Sequence, residues 1–254
     1  MKRLLHYASL LLCILVLAGC AGALNWKPLP PGAALAESEP TAEPVPASYT
    51  VSPGDTLYSI AWRYGLDYHD VARWNGIGSD YLIRPGQNLR LSAPVGSIRR
   101  TPSATARVAA ANAGTARSAS VDDSFTPPSG GIVWRWPADG RVIRQYHAGD
   151  ALSKGMDISA TRGADIRAAA AGKVVYAGSG IIGYGKLIII KNSEQFLSAY
   201  ADNDEILVKE GDVVQAGDRI AEMGLGRDGH PLLHFEIRHN GKPVDPMQYL
   251  PRSH

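Results

Sequence analysis

Apolar and polar positions fall into three patterns along this chain. The first is an unbroken apolar run, Leu10 to Leu17, behind the positive charges of Lys2 and Arg3. The second lies between residues 48 and 92. There Leu57, Ile60, Ala61 and Tyr64 recur at i, i+3, i+4 and i+7, one face of a helix, with Asp55 placed to cap its start and Gly65 to end it. Asp67 can cap a second helix with Val71 and Trp74 on its inner side and Asn75-Gly76 at its close, and short extended runs at Tyr49-Thr50-Val51 and Leu89-Arg90-Leu91 frame the pair. The third pattern fills 132–252, where the period shortens to two. Short strand-like runs there are punctuated by glycines, as in Lys173-Val174-Val175-Tyr176, Leu187-Ile188-Ile189-Ile190 and Arg219 to Met223, and Asn240-Gly241 marks a hairpin turn. From Leu232 to Arg238 the alternation is plain. Leu233, Phe235 and Ile237 point one way, and His234, Glu236 and Arg238 the other. Asp157 likewise sits between apolar Met156 and Ile158, so a carboxylate and an imidazole are expected on polar faces of strands in one sheet.

The predicted architecture is therefore α+β and multidomain: a small β-α-α-β unit over 48–92, then a mainly antiparallel β unit over 132–252. Residues 1–19 read as an export signal, too short in its apolar run for a good membrane span. Residues 20–47 and 93–131 are rich in Ala, Pro, Ser, Thr and charge without apolar periodicity, and read as a flexible tether and a disordered linker. The arginines of the second linker can touch an anionic polymer or lipid, though solvation is the plainer account. The 254 residues carry 26 Lys and Arg against 24 Asp and Glu, a formal net charge of +2, which gives no basic face for nucleic acid. The two cysteines, Cys13 and Cys20, both precede the folded units, which leaves those units without a disulfide or a cysteine metal site.

Three resemblances sharpen this picture. Leu17-Ala18-Gly19-Cys20 resembles the bacterial lipobox, which implies that Cys20 becomes a lipidated first residue, and Ala21 in place of Asp resembles the outer-membrane sorting pattern. Tyr49 to Leu57, Asn75-Gly76-Ile77 and Ile83-Arg84-Pro85-Gly86-Gln87 resemble the motifs of LysM domains, which bind polymers containing N-acetylglucosamine. That resemblance implies a glycan groove lined by Gly54, Asp55, Thr56, Leu57, Gly76, Ile77 and Ile83, although Leu57 and Ile83 also suit a core. Gly155-Met156-Asp157-Ile158, Gly172 to Gly178, Gly183-Tyr184-Gly185, Val208 to Asp212 and Leu233 to Ile237 resemble the LytM domain of the M23 metallopeptidases.

The M23 resemblance also shows what this chain lacks. Active members use a His-x-Gly-x-Asp motif, a His-x-His motif and a His after Tyr-Ala. Carried over, the zinc ligands fall on Ser153, Asp157 and His234, and the two catalytic histidines on Asp202 and Leu232. A catalytic zinc takes three protein ligands and keeps one open position; here Asp157 and His234 are vestigial and no cofactor is expected. His230 is about 13 Å from His234 along one strand at ~3.3 Å per residue, and His147 would have to approach from a hairpin. The LysM-plus-LytM plan behind a lipobox resembles the NlpD-like lipoproteins, an amidase-activator family. The implied function is a non-catalytic, peptidoglycan-binding outer-membrane lipoprotein facing the periplasm. It would activate an N-acetylmuramoyl-L-alanine amidase during wall remodelling and daughter-cell separation. The partner groove would comprise Lys154, Asp157, Tyr184, Tyr200, Asp202, Leu232 and His234. The alternatives are an active zinc endopeptidase and a passive tether between outer membrane and wall.

Overall fold

The computed structural model describes residues 45–94, 131–149 and 153–252. The expected signal 1–19, Cys20, most of the tether 20–47 and most of the linker 93–131 lie outside the described residues. In the smaller unit, strand β1 (Ser48–Thr50) pairs antiparallel with β2 (Asn88–Arg90), and helices α1 (Leu57–Tyr64) and α2 (Tyr68–Asn75) lie between them in sequence. The cap of α1 is one residue later than the sequence suggests. Thr56 is the N-cap, accepting from the Ser59 backbone N–H at 3.0 Å, while the Ser59 hydroxyl accepts from the Thr56 N–H, a reciprocal box that satisfies two orphan donors. Asp55 instead folds its carboxylate back onto the Ser52 N–H and the Tyr49 hydroxyl, both at 2.8 Å. Asp67 caps α2 as expected, and both helices end on a glycine in the left-handed region, Gly65 and Gly76, each at φ 64°.

The larger unit is an antiparallel sheet of ten strands among the described residues. These are β3 (Arg141–Arg144), β4 (Met156–Ser159), β5 (Asp165–Arg167), β6 (Gly172–Gly178), β7 (Lys186–Lys191), β8 (Phe196–Ile206), β9 (Val213–Val214), β10 (Arg219–Leu225), β11 (Pro231–His239) and β12 (Lys242–Val244). Strand β11 is central: it pairs with β4 on one side and β8 on the other, and turns into β12 through Asn240-Gly241, both at positive φ. On its inner face Leu233, Phe235 and Ile237 are fully buried with Met156, Ile158, Ile188, Ile190 and Tyr200. Tyr200 was expected in the partner groove. It pairs in register with Phe235, so it lies on the opposite face from His234, where its hydroxyl accepts from the Ala169 N–H at 2.7 Å.

The outer face of the sheet is not open to water. Leu187, Ile189, Leu197, Ala199 and Ala201 are buried in one apolar cluster with Leu57, Ile60, Trp62, Tyr68 and Val71 of the helical unit. Each fully buried aliphatic side chain is worth about 1.5–3 kcal/mol, whereas an exposed ion pair contributes about 0–1 kcal/mol. Apolar burial therefore dominates this contact, and the helices complete the fold of the sheet. The contact was not legible as such when the two units were read separately.

One glycine lets β4 approach β11 closely enough to place Asp157 beside His234. A Cβ on Gly155 would stand 2.3 Å from the Phe235 carbonyl oxygen, which no side chain tolerates. Gly155→Ala is expected to lower the unfolding free energy by about 1–3 kcal/mol, the usual cost of overpacking. Urea denaturation measures it, and a curve superimposed on the wild type would mean the strands have room to spare.

Candidate functional site

Four neighbouring strands set out the site as a row. Asp157 on β4 stands opposite Arg144 on β3 and His234 on β11, and His234 in turn stands opposite Ala201 on β8. Arg144 reaches this position through a bulge at Ile143, which shifts the β3–β4 register by one residue. Arg144 Nη2 lies 2.6 Å from Asp157 Oδ2, and His234 Nδ1 lies 2.7 Å from Asp157 Oδ1. His234 Nε2 lies 3.2 Å from Glu236 Oε1, and that same oxygen accepts from the Tyr184 hydroxyl at 2.7 Å. Arg238 Nε donates to the other Glu236 oxygen at 2.9 Å. Five side chains in sequence, Arg144, Asp157, His234, Glu236 and Arg238, thus alternate in sign.

Burial sharpens the electrostatics. For His234, burial disfavours the imidazolium, but the hydrogen bonds and charges of Asp157 and Glu236 outweigh it and raise the pKa to about 9. For Glu236, burial disfavours the carboxylate, but Arg238, then His234 and the Tyr184 hydroxyl, hold its pKa down to about 2. At neutral pH His234 is therefore a cation donating both ring N–H groups to carboxylates.

A zinc ligand is a neutral ring with a free lone pair, so a metal here would have to displace the protons that His234 shares with Asp157 and Glu236. Asp157 has both oxygens engaged, by Arg144 and His234. Ser153, at the expected first-ligand position, is buried and gives its hydroxyl proton to the Gln145 carbonyl at 2.7 Å. His147 and His230 are exposed and do not join the row. Among the described residues no three His, Cys, Asp or Glu side chains cluster as a metal site. The residues present do not fit a catalytic zinc.

The row forms one wall of a groove of about 550 Å³. Lys154, Asp157, Tyr184, Asp202, Leu232 and His234 line it together with Glu236. Arg144, Ile143, Ile182 and Arg227 line it as well, and sequence reasoning missed them. Asp202 sits where β8 slips register against β7, at φ 60°, a left-handed conformation costly for a residue with a Cβ. Burial raises its pKa. Burial also lowers that of Lys154, with the charge of Arg238 acting in the same direction. In the helical unit Gly54 and Gly76 are exposed, and Asp55, Thr56, Ile77 and Ile83 are half-buried. Leu57 is fully buried, so its side chain belongs to the core and only its backbone can meet a glycan.

The M23 and LysM resemblances are matched by family models. The model for Peptidase family M23 matches residues 151–246, and that for the LysM domain matches residues 49–92. The chain is 42% identical over 251 residues to the uncharacterized lipoprotein YgeR of Escherichia coli, covering 98% of this chain and 94% of that one. It is 41% identical over 228 residues to the lipoprotein NlpD/LppB homolog of Pseudomonas aeruginosa, covering 80% and 77%. It is 35% identical over 258 residues to the murein hydrolase activator NlpD of Escherichia coli, covering 81% and 68%. The chain belongs to the NlpD family. It joins a LysM domain to an M23 domain, and the groove described above is the M23 groove of an NlpD-family protein.

The pair at the centre of this groove sets a pH window. His234 keeps its proton to about 9 when folded against 6.5 unfolded, so its contribution is complete below pH 6.5 and is lost as pH rises through 9. Glu236 is held at about 2 against 4.5 unfolded, so its contribution is present above pH 4.5 and is lost as pH falls through 2. Thermal stability is expected to peak between these unfolded values, 4.5 and 6.5, and to decline on both sides. His234→Gln should flatten the alkaline limb; an equally steep limb in that variant would place the titrating group elsewhere.

Proposed function

We propose that this NlpD-family chain is a non-catalytic regulator. It binds peptidoglycan through its LysM domain and uses the M23 groove to engage and activate a periplasmic N-acetylmuramoyl-L-alanine amidase in wall remodelling and cell separation. Cys20 carries the lipid that holds it to the outer membrane, facing the periplasm. One observation carries this reading: the two side chains retained at M23 ligand positions are already engaged, His234 by two carboxylates and Asp157 by a guanidinium and an imidazole. The base and oxyanion-stabilising histidines of an M23 peptidase fall on Asp202 and Leu232, so neither position carries an imidazole, and Leu232 has no polar group with which to stabilise an oxyanion or carry a proton. The murein hydrolase activators among the relatives bear a name that fits such a role. What the groove offers instead is recognition. Leu232, Ile143 and Ile182 give apolar contact beside Tyr184 and two arginines, the residue types that anchor protein interfaces.

The amidase supplies the test. Mature protein added to an amidase of the source organism is expected to speed the release of dye-labelled peptidoglycan. The protein alone, with or without zinc, should release none. Leu232→Asp should raise the concentration needed for half-maximal activation by at least about tenfold, the scale of a central interface residue. Chelator-sensitive release by the protein alone would instead establish the endopeptidase. Tight sedimentation with insoluble peptidoglycan, without acceleration of any amidase, would establish the passive tether.

A further inference from the structure

The segment 179–185, between β6 and β7, serves two places at once. Ile182, Gly183 and Tyr184 line the M23 groove. The back of the same segment meets the LysM helix α1. Arg63 Nη2 donates to the Gly180 carbonyl at 3.0 Å, and Ile181, only 3% exposed, lies in the apolar cluster shared with Leu57 and Trp62. Arg63 also reaches the LysM loop that is expected to hold glycan. Its Nη1 donates to the Tyr49 hydroxyl at 2.7 Å, and its Nη2 stands 3.6 Å from the Asp55 carboxylate. A continuous set of polar contacts therefore runs from the loop Gly54–Leu57, through one guanidinium, to the rim of the groove.

A second strut keeps the two domains from swinging apart. Arg238, 1% exposed, donates through Nη1 to the Trp62 carbonyl at 2.8 Å, and its guanidinium stands 3.4 Å from the Trp62 ring centroid. Separating the domains would strip a buried cation of these partners, a costly step. Small displacements within the docked unit remain possible, and the rim is where they would be felt. Arg63 is one of several anchors there; among the others are Tyr176 on the Gly180 N–H, Arg227 on the Gly183 carbonyl, the Asp202 N–H on the Tyr184 carbonyl, and Glu236 and Arg238 on the Tyr184 hydroxyl. Between them Ile182 stands 96% exposed.

We propose that segment 179–185 links the two domains: glycan held at the LysM loop steadies Arg63 and, through Gly180, fixes the rim of the groove in the form a partner meets. The proposal rests on the reading of Gly54–Leu57 as part of the glycan site. A sugar bonded to the backbone of that loop orders Asp55, and Asp55 orients Arg63. The linkage is reciprocal, so a partner that seats against Ile182 tightens glycan binding by the same factor.

Hydrogen exchange of the full mature chain, read by mass spectrometry, tests this without any amidase. Arg63→Met keeps the aliphatic stem and removes the polar contacts. Amides 180–184 are expected to exchange about fivefold faster in this variant, the factor for one hydrogen bond of ordinary net strength. Exchange in β7 and β11 should not change. An N-acetylglucosamine pentamer should slow exchange at 180–184 in the wild type and have no such effect in Arg63→Met. Equal rim exchange in the two proteins without sugar overturns the link. So does a pentamer that protects residues 52–58 and leaves 180–184 untouched, or one that slows the rim equally in both proteins. A pentamer that protects neither region overturns the glycan reading and the link with it. Because amidase activation is measured apart from all of these, its failure is told from theirs.

Discussion

Strand β11 is buried on both faces, and one of those faces is charged. Glu236 and Arg238 are each 1% exposed or less, so neither charge has water to compensate it. Everything around them answers that constraint. Arg238 and Glu236 face each other, Tyr184 and His234 supply the remaining donors to Glu236, and the LysM helix brings the Trp62 carbonyl and ring to Arg238. A buried pair of this kind is weak evidence for stability, because desolvation offsets the attraction. Its contacts to LysM are directional: another seating would remove the Trp62 carbonyl and ring from Arg238. The net attraction comes from the apolar cluster beneath, and the polar row selects the register.

The same constraint bears on the proposal that the groove serves recognition rather than chemistry. A metal would bring two positive charges to Asp157 and His234. Here Arg144 and protonated His234 bring positive charge instead, and the row from Arg144 to Arg238 alternates in sign without any ion. Removing a catalytic metal from such a sheet need not unravel it, because the core lies on the other face of the same strands. Leu233, Phe235 and Ile237 hold β11 in place whatever stands at 232, 234 and 236. At Asp202 the backbone takes a strained left-handed form at the groove wall, where the pairing of β8 with β7 slips. The side chain at the expected catalytic position thus rests on a local distortion fixed by its neighbours.

Much of this was legible in the chain. Period-two alternation gave β11 and its two faces, Gly-punctuated runs gave the other long strands, and the capping residues gave both LysM helices within one residue. Three things were missed. Arg144 enters the site through a bulge, and a one-residue insertion leaves no mark on an apolar pattern. Tyr200 lies in a run, Leu197 to Ala201, that is apolar or small on both faces, so only its pairing with Phe235 shows which way it points. The docking of LysM did have a sign. Leu187-Ile188-Ile189-Ile190 is unbroken by any polar residue, the mark of a strand covered on both sides. All four are fully buried, the even pair under the sheet's own core and the odd pair under LysM.

That shared burial changes what the two domains are to each other. A LysM joined only by a flexible linker would concentrate the M23 groove near the wall and do nothing more. A LysM that covers the odd face of β7 and β8, and hydrogen-bonds the rim of the groove through Arg63, gives the groove part of its shape. The aliphatic contacts make the arrangement stable, and they are indifferent to small sliding. The polar contacts at Arg63 and Arg238 are directional, so they are the ones that convert a shift of α1 into a shift of the rim. In the proposed linkage, binding at either site reaches the other through side chains that touch, and the route runs through two arginines rather than through the apolar contact.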